Sequence, residues 1–100
     1  MKVVTICGSM RFADQMKKIA RNLETKKGIC VLQPIYNEEK KNESFNELEN
    51  IFASHYKKIE LADAIYVVNI GGYIGDATKS EITYAIKKGK EVIYHESNKK

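Results

Sequence analysis

A chain of 100 residues, 43% hydrophobic and 30% charged, is sized for one domain around a single core. Its formal charge of +4 comes largely from lysine pairs (Lys17-Lys18, Lys26-Lys27, Lys57-Lys58, Lys87-Lys88) near helix C-terminal halves, which suits solvated helix faces better than a nucleic-acid surface. No apolar run approaches the roughly 18 residues of a membrane span, no signal-peptide pattern opens the chain, and the Cys and His spacing carries neither a C-x-x-C motif nor a zinc signature. The expected setting is the cytoplasm, with Cys7 and Cys30 as buried reduced thiols and no metal or cofactor.

Lys2 to Cys7 (KVVTIC) is nearly all apolar or β-branched and predicts a first strand. Gly8-Ser9-Met10-Arg11 follows at its carboxyl end. Gly8 allows a sharp turn, Ser9 is a good N-cap, and the neighbouring amides with Arg11 suit a phosphate or a sugar hydroxyl. The same four residues also fit a capped helix with a surface arginine. Met16, Ile19, Ala20 and Leu23 form the apolar face of the helix that follows, which should stop near Lys27-Gly28.

Ile29 to Leu32 predicts a short second strand, closed by Gln33-Pro34. Residues 35–43 are polar and charged, the composition of a mobile loop over a crevice. Ser44-Phe45-Asn46-Glu47 has the pattern of a capping box and opens a helix running to Leu61. Its stripe is Phe45, Leu48, Ile51, Phe52 and Ile59, with His55 beside it. His55 is either a partly buried ring satisfied by its neighbours or a site residue. The helix has more apolar positions than one face of a small sheet needs, so a homodimer paired through it is expected.

Ala64 to Val68 (AIYVV) predicts a third strand buried on both faces. Asn69 to Asp76 is a loop with Gly71, Gly72 and Gly75, suited to close approach of backbone to a ligand. Thr78 to Lys88 predicts a helix with Ile82, Ala85 and Ile86 on its apolar face and Gly89 past its end; Glu91 to Tyr94 is the fourth strand. Residues 1–96 thus form a single domain, with 97–100 a frayed tail. The alternation gives an α/β, Rossmann-like (flavodoxin-like) three-layer sandwich with a four-stranded parallel sheet in the order 2-1-3-4. Its switch point lies between the first and third strands, so the loops at Gly8–Arg11 and Asn69–Asp76 should converge on one crevice. Glu81, in the first helical turn beyond the glycine loop, has two readings. Thr78-Lys79-Ser80-Glu81 fits a capping box, with Glu81 bonded back to the Thr78 amide; alternatively the carboxylate projects into the crevice.

Residues 6–11 (ICGSMR) and 62–86 (ADAIYVVNIGGYIGDATKSEITYAI) resemble the nucleoside 2-deoxyribosyltransferase family, which includes 2′-deoxynucleoside 5′-phosphate N-hydrolases. The resemblance covers most of the chain in order, and its specific motifs about a third. It implies that Glu81 attacks C1′ of the sugar and expels the base, after which another base or water resolves the glycosyl-enzyme. Gly8, Ser9, Met10 and Arg11 would surround the sugar and any 5′-phosphate, with Asn69, Gly71, Gly72, Gly75 and Thr78 on the opposite lip. At the place of a family aspartate this chain has His55, which can exchange protons near neutral pH; Thr5 stands where the family has an aromatic. The implied partner is a small-molecule nucleoside or nucleotide. A non-catalytic nucleotide-binding or sensor domain with the same crevice is the alternative.

Overall fold

The structure, a computed structural model, describes residues 1–36 and 42–97; most of the polar loop expected over the crevice and the last three lysine-tail positions lie outside them. The continuous apolar runs become β1 (Val3–Gly8), β2 (Cys30–Leu32), β3 (Ala64–Val68) and β4 (Glu91–Tyr94). All pair in parallel in the order β2-β1-β3-β4, as the strand and helix alternation predicts. The longest ladder joins the two central strands, from Val4 opposite Ala64 to Gly8 opposite Val68. Asp63 sets that register: its Oδ2 accepts from the Val3 amide at 2.8 Å, and its own amide donates to the Val3 carbonyl at 2.8 Å.

Three helices cover the sheet: α1 (Ala13–Lys27), α2 (Phe45–Leu61) and α3 (Asp76–Lys87). Strand period divides the core in two. Val4 and Ile6 of β1, with Ala64 and Val68 of β3, face α1 through Met16, Ala20 and Leu23. Cys7, Ile65 and Val67 point the other way, against Ile59 of α2 and Ala85 of α3. Each fully buried branched side chain is worth about 1.5–3 kcal/mol relative to exposure, so both layers are needed to hold so small a sheet. Sequence alternation in β1 therefore decides that Cys7 belongs to the face shared by α2 and α3.

The helix ends follow local chemistry, with one correction. Gly28 takes φ +66° and closes α1 by donating to the Leu23 carbonyl. Ser44 and Glu47 form the expected capping box, with the Ser44 amide 2.7 Å from Glu47 Oε1 and the Glu47 amide 3.2 Å from Ser44 Oγ. The second capping-box reading fails. α3 starts at Asp76 with Gly75 as N-cap, two residues before Thr78, and the Lys79 amide already donates to the Gly75 carbonyl at 2.9 Å. Asp76 in the first turn complements the dipole. Thr78 and Glu81 thus sit inside the helix, and Glu81 has no helix start to cap. Beyond β4 the chain is latched to the glycine loop: Asn69 Nδ2 donates to the Glu96 carbonyl at 3.0 Å and Asn69 Oδ1 accepts from the Glu96 amide at 2.8 Å. Among the described residues no helix is long and apolar enough to cross a membrane.

Candidate active site

The carboxyl end of β1, the inner face of α2 and the first turns of α3 enclose a cleft of about 740 Å³. Its wall on the β1 side is Cys7, Gly8, Ser9 and Met10; on the α3 side it is Gly75, Asp76, Ala77, Thr78 and Glu81. Leu48, Ile51, Phe52 and Tyr56 give the α2 wall its apolar character. The switch point between β1 and β3 thus opens a crevice as the strand order requires.

The two loops meet directly. The Arg11 guanidinium lies 3.7 Å from the centroid of the Tyr73 ring, and Phe12 packs edge-on to the same ring at 6.1 Å. Arg11 therefore ties the first loop to the glycine loop through a cation–π contact and does not line the cleft. Ser9 caps the short 3₁₀ turn Met10–Phe12, its Oγ accepting from the Arg11 amide at 3.2 Å. Gly8 has a packing reason: a Cβ there would lie 3.2 Å from Met16 Sδ, 3.2 Å from the Val68 carbonyl oxygen and 3.3 Å from Val68 Cβ.

Of the residues expected on the opposite lip, Gly75 and Thr78 line the cleft and Asn69, Gly71 and Gly72 do not. Asn69 is buried and consumed by its latch on Glu96, whose carboxylate also accepts from the Gly71 amide at 3.0 Å. Gly71 and Gly72, at φ +66° and +81°, turn the chain there. Their conformation serves the turn and the C-terminal latch.

His55 and Glu81 come together. His55 Nε2 is 3.4 Å from Glu81 Oε1, with the two side chains only 10% and 15% exposed. The ring is not simply packed among the apolar residues of α2. Its Nε2 also lies 3.6 Å from Cys7 Sγ, while Nδ1 is buried with no hydrogen-bond partner among the described residues. The tautomer with the proton on Nε2 bonds Glu81 and leaves only a bare lone pair unsatisfied at Nδ1.

Cys7 is the member of this group that sequence reasoning missed. Its signal was the two-residue alternation of β1, which turns Thr5 and Cys7 to the face opposite Val4 and Ile6. Burial pushes the Cys7 thiol well above its ordinary range, and the nearby Glu81 carboxylate pushes it further the same way; the thiol's sulfur lies 3.8 Å from the Thr5 carbonyl oxygen, to which it donates. The thiol is therefore a neutral donor at pH 7. Tyr56 is pushed up by burial first, then by the nearby Glu81 and Cys7; its ring packs edge-on against Tyr84 at 4.9 Å. One donor atom from each of Cys7, His55 and Glu81 falls within 4.8 Å of the others.

No protein-family model and no curated protein matches the chain. Among solved structures it is similar to a 2-deoxyribosyltransferase from the psychrotolerant bacterium Bacillus psychrosaccharolyticus, described as a biocatalyst for nucleoside synthesis. The likeness has a TM-score of 0.66 at 20% identity over 92% of this chain and 70% of that one. The parallel 2-1-3-4 sheet, with its cleft at the β1–β3 switch point, accordingly has the flavodoxin-like fold of a nucleoside 2-deoxyribosyltransferase.

Proposed function

We propose that the chain cleaves or exchanges the N-glycosidic bond of a nucleoside or its 5′-monophosphate, with Glu81 as nucleophile. The observation that carries this reading is a shielded carboxylate, 15% exposed and held 3.4 Å from His55, on the wall of a cleft in a deoxyribosyltransferase-like fold. An Oε lone pair of Glu81 attacks C1′ as the C1′–N bond breaks, and that bond's electron pair leaves with the base. His55 in its charged form gives the base a proton. Water or an acceptor base then attacks C1′, its proton returns to His55, and Glu81 is released. The apolar wall of Leu48, Ile51, Phe52 and Tyr56 suits a flat heterocycle. Ser9 and the N-terminal turn of α3 offer hydroxyl and amide donors for sugar or phosphate oxygens.

Binding without turnover is the second reading, favoured because the His55 ring engages the Glu81 carboxylate at 3.4 Å and would blunt it as a nucleophile. The deciding experiment incubates the protein with deoxynucleosides and their 5′-monophosphates in the presence of a chelator and follows free base. The expected result is base release that falls by about three orders of magnitude or more in Glu81→Gln, with folding and ligand affinity kept. Release that survives Glu81→Gln removes the nucleophile assignment. Nucleotide binding with no release by the unsubstituted chain establishes the second reading.

A further inference from the structure

We propose that Cys7, His55 and Glu81 form a zinc site, a soft divalent-cation centre whose fourth position opens on the cleft. The donors are one thiol sulfur, one imidazole nitrogen and one carboxylate oxygen, the mixed set of a three-ligand zinc centre. They come from β1, α2 and α3, which is why no short motif announces them.

The spacing carries the inference. With zinc–sulfur, zinc–nitrogen and zinc–oxygen bonds of about 2.3, 2.0–2.1 and 2.0–2.2 Å, the edges of a tetrahedron are about 3.5 Å from S to N and about 3.4 Å from N to O. Cys7 Sγ to His55 Nε2 is 3.6 Å, and His55 Nε2 to Glu81 Oε1 is 3.4 Å. Two of the three edges are already at ligand–ligand distance without movement of a side chain. The third, bounded by 4.8 Å, closes by rotation of the Glu81 carboxylate, the most exposed of the three groups.

Charge balance agrees. Loading releases the Cys7 proton to solvent and joins a +2 ion to one thiolate and one carboxylate, so the loaded centre is neutral in a buried setting that penalises net charge. A thiolate ligand favours zinc over magnesium or calcium, which prefer oxygen shells. Ligation through Nε2 puts the remaining proton on Nδ1, which has no acceptor among the described residues. Outer-shell acceptors of that kind are worth about 10–100-fold in affinity, so the site suits a metal that exchanges and not a permanent structural one.

The regulatory consequence rests on the glycosidic reading of Glu81: zinc would hold the lone pairs that attack C1′, so metal and turnover exclude each other. The site itself is tested without substrate. Untagged protein, freed of metal with a chelator, is titrated with Co²⁺ and followed for a thiolate-to-metal charge-transfer band, then with Zn²⁺ to displace it. One equivalent per chain is expected, together with a rise in Tm on adding zinc. The band should persist in Cys30→Ser and vanish in Cys7→Ser. His55→Ala, the second variant should Cys7→Ser fail to fold, removes a direct ligand and should weaken the affinity by at least the roughly 10–100-fold that loss of an outer-shell partner costs. Absence of the band in the unsubstituted chain, its survival in Cys7→Ser, or unchanged affinity in His55→Ala overturns the proposal. Failure to release base under chelator counts against the glycosidic reading alone.

Discussion

Gly8→Ala isolates the close approach that shapes the start of the cleft. The added methyl would meet three heavy atoms, Met16 Sδ at 3.2 Å, the Val68 carbonyl oxygen at 3.2 Å and Val68 Cβ at 3.3 Å. Met16 ends in a flexible thioether and can give way cheaply. Val68 cannot, because it is the register partner of Gly8 in the β1–β3 ladder, and both its contacting atoms are held by the sheet. Overpacking of this kind costs about 1–3 kcal/mol. The Gly8 φ is not positive, so alanine meets no backbone strain and regains about 0.4–1 kcal/mol by restricting the unfolded chain. Taking the middle of each range, the net expectation is a loss of about 1.3 kcal/mol, or roughly 5–10 °C in Tm for a domain of this size. Urea unfolding followed by far-ultraviolet circular dichroism, with a thermal melt alongside, measures it. A variant as stable as the parent would refute the reasoning, since it would mean that β1 and β3 separate freely at the cleft.

Because Cys7 holds its proton more tightly folded than unfolded, its contribution to stability is complete below its ordinary value of 9.0 and is lost as pH rises from there toward the elevated native value. Between pH 9 and 10 the unfolding free energy should fall with a slope approaching about 1.4 kcal/mol per pH unit from this group. Tyr56, Tyr66 and Tyr84, also pushed up, act only above their ordinary value of 10.0. Urea titrations at several pH values should show the slope flattened in Cys7→Ala; an equal slope in both proteins contradicts the assignment. Phe45 and Phe52, 75% and 62% exposed on one stripe of α2, are the expected contact in a homodimer. Sedimentation at micromolar concentration should give the dimer and Phe52→Glu the monomer, and a monomeric parent chain rules the pairing out.

The strands were legible because buried parallel strands are apolar without interruption, and their order followed from alternation with helices. His55 was legible as a position near the apolar stripe of α2, but its aim at Glu81 depends on how α2 and α3 are packed over the sheet. The two capping-box patterns show where local sequence stops deciding. Ser44 to Glu47 caps a helix, while Thr78 to Glu81 lies inside one because Gly75 and Asp76 start it earlier. Arg11 and Asn69 have the polarity of ligand-binding residues, yet one stacks on Tyr73 and the other latches Glu96. Nothing in a single chain read by itself separates a polar group waiting for a ligand from one that fastens a neighbouring loop. Cys7 was hidden for the opposite reason, since a thiol in an apolar strand looks like core until the helices above it are known.

The two faces of the sheet divide labour in a way that bears on engineering. Every side chain of the Cys7, His55 and Glu81 cluster lies on the α2–α3 side, and the packing of α1 against Val4, Ile6 and Val68 includes none of them. Substitutions in the inner face of α1 therefore act from the opposite side of the sheet to the chemistry, except at Met16, whose Sδ lies against the Gly8 position of the cleft wall. The α1 layer is the place to gain thermal robustness, by repacking around Ala20 and Leu23, without disturbing donor spacing that a shift of half an ångström in α2 would spoil.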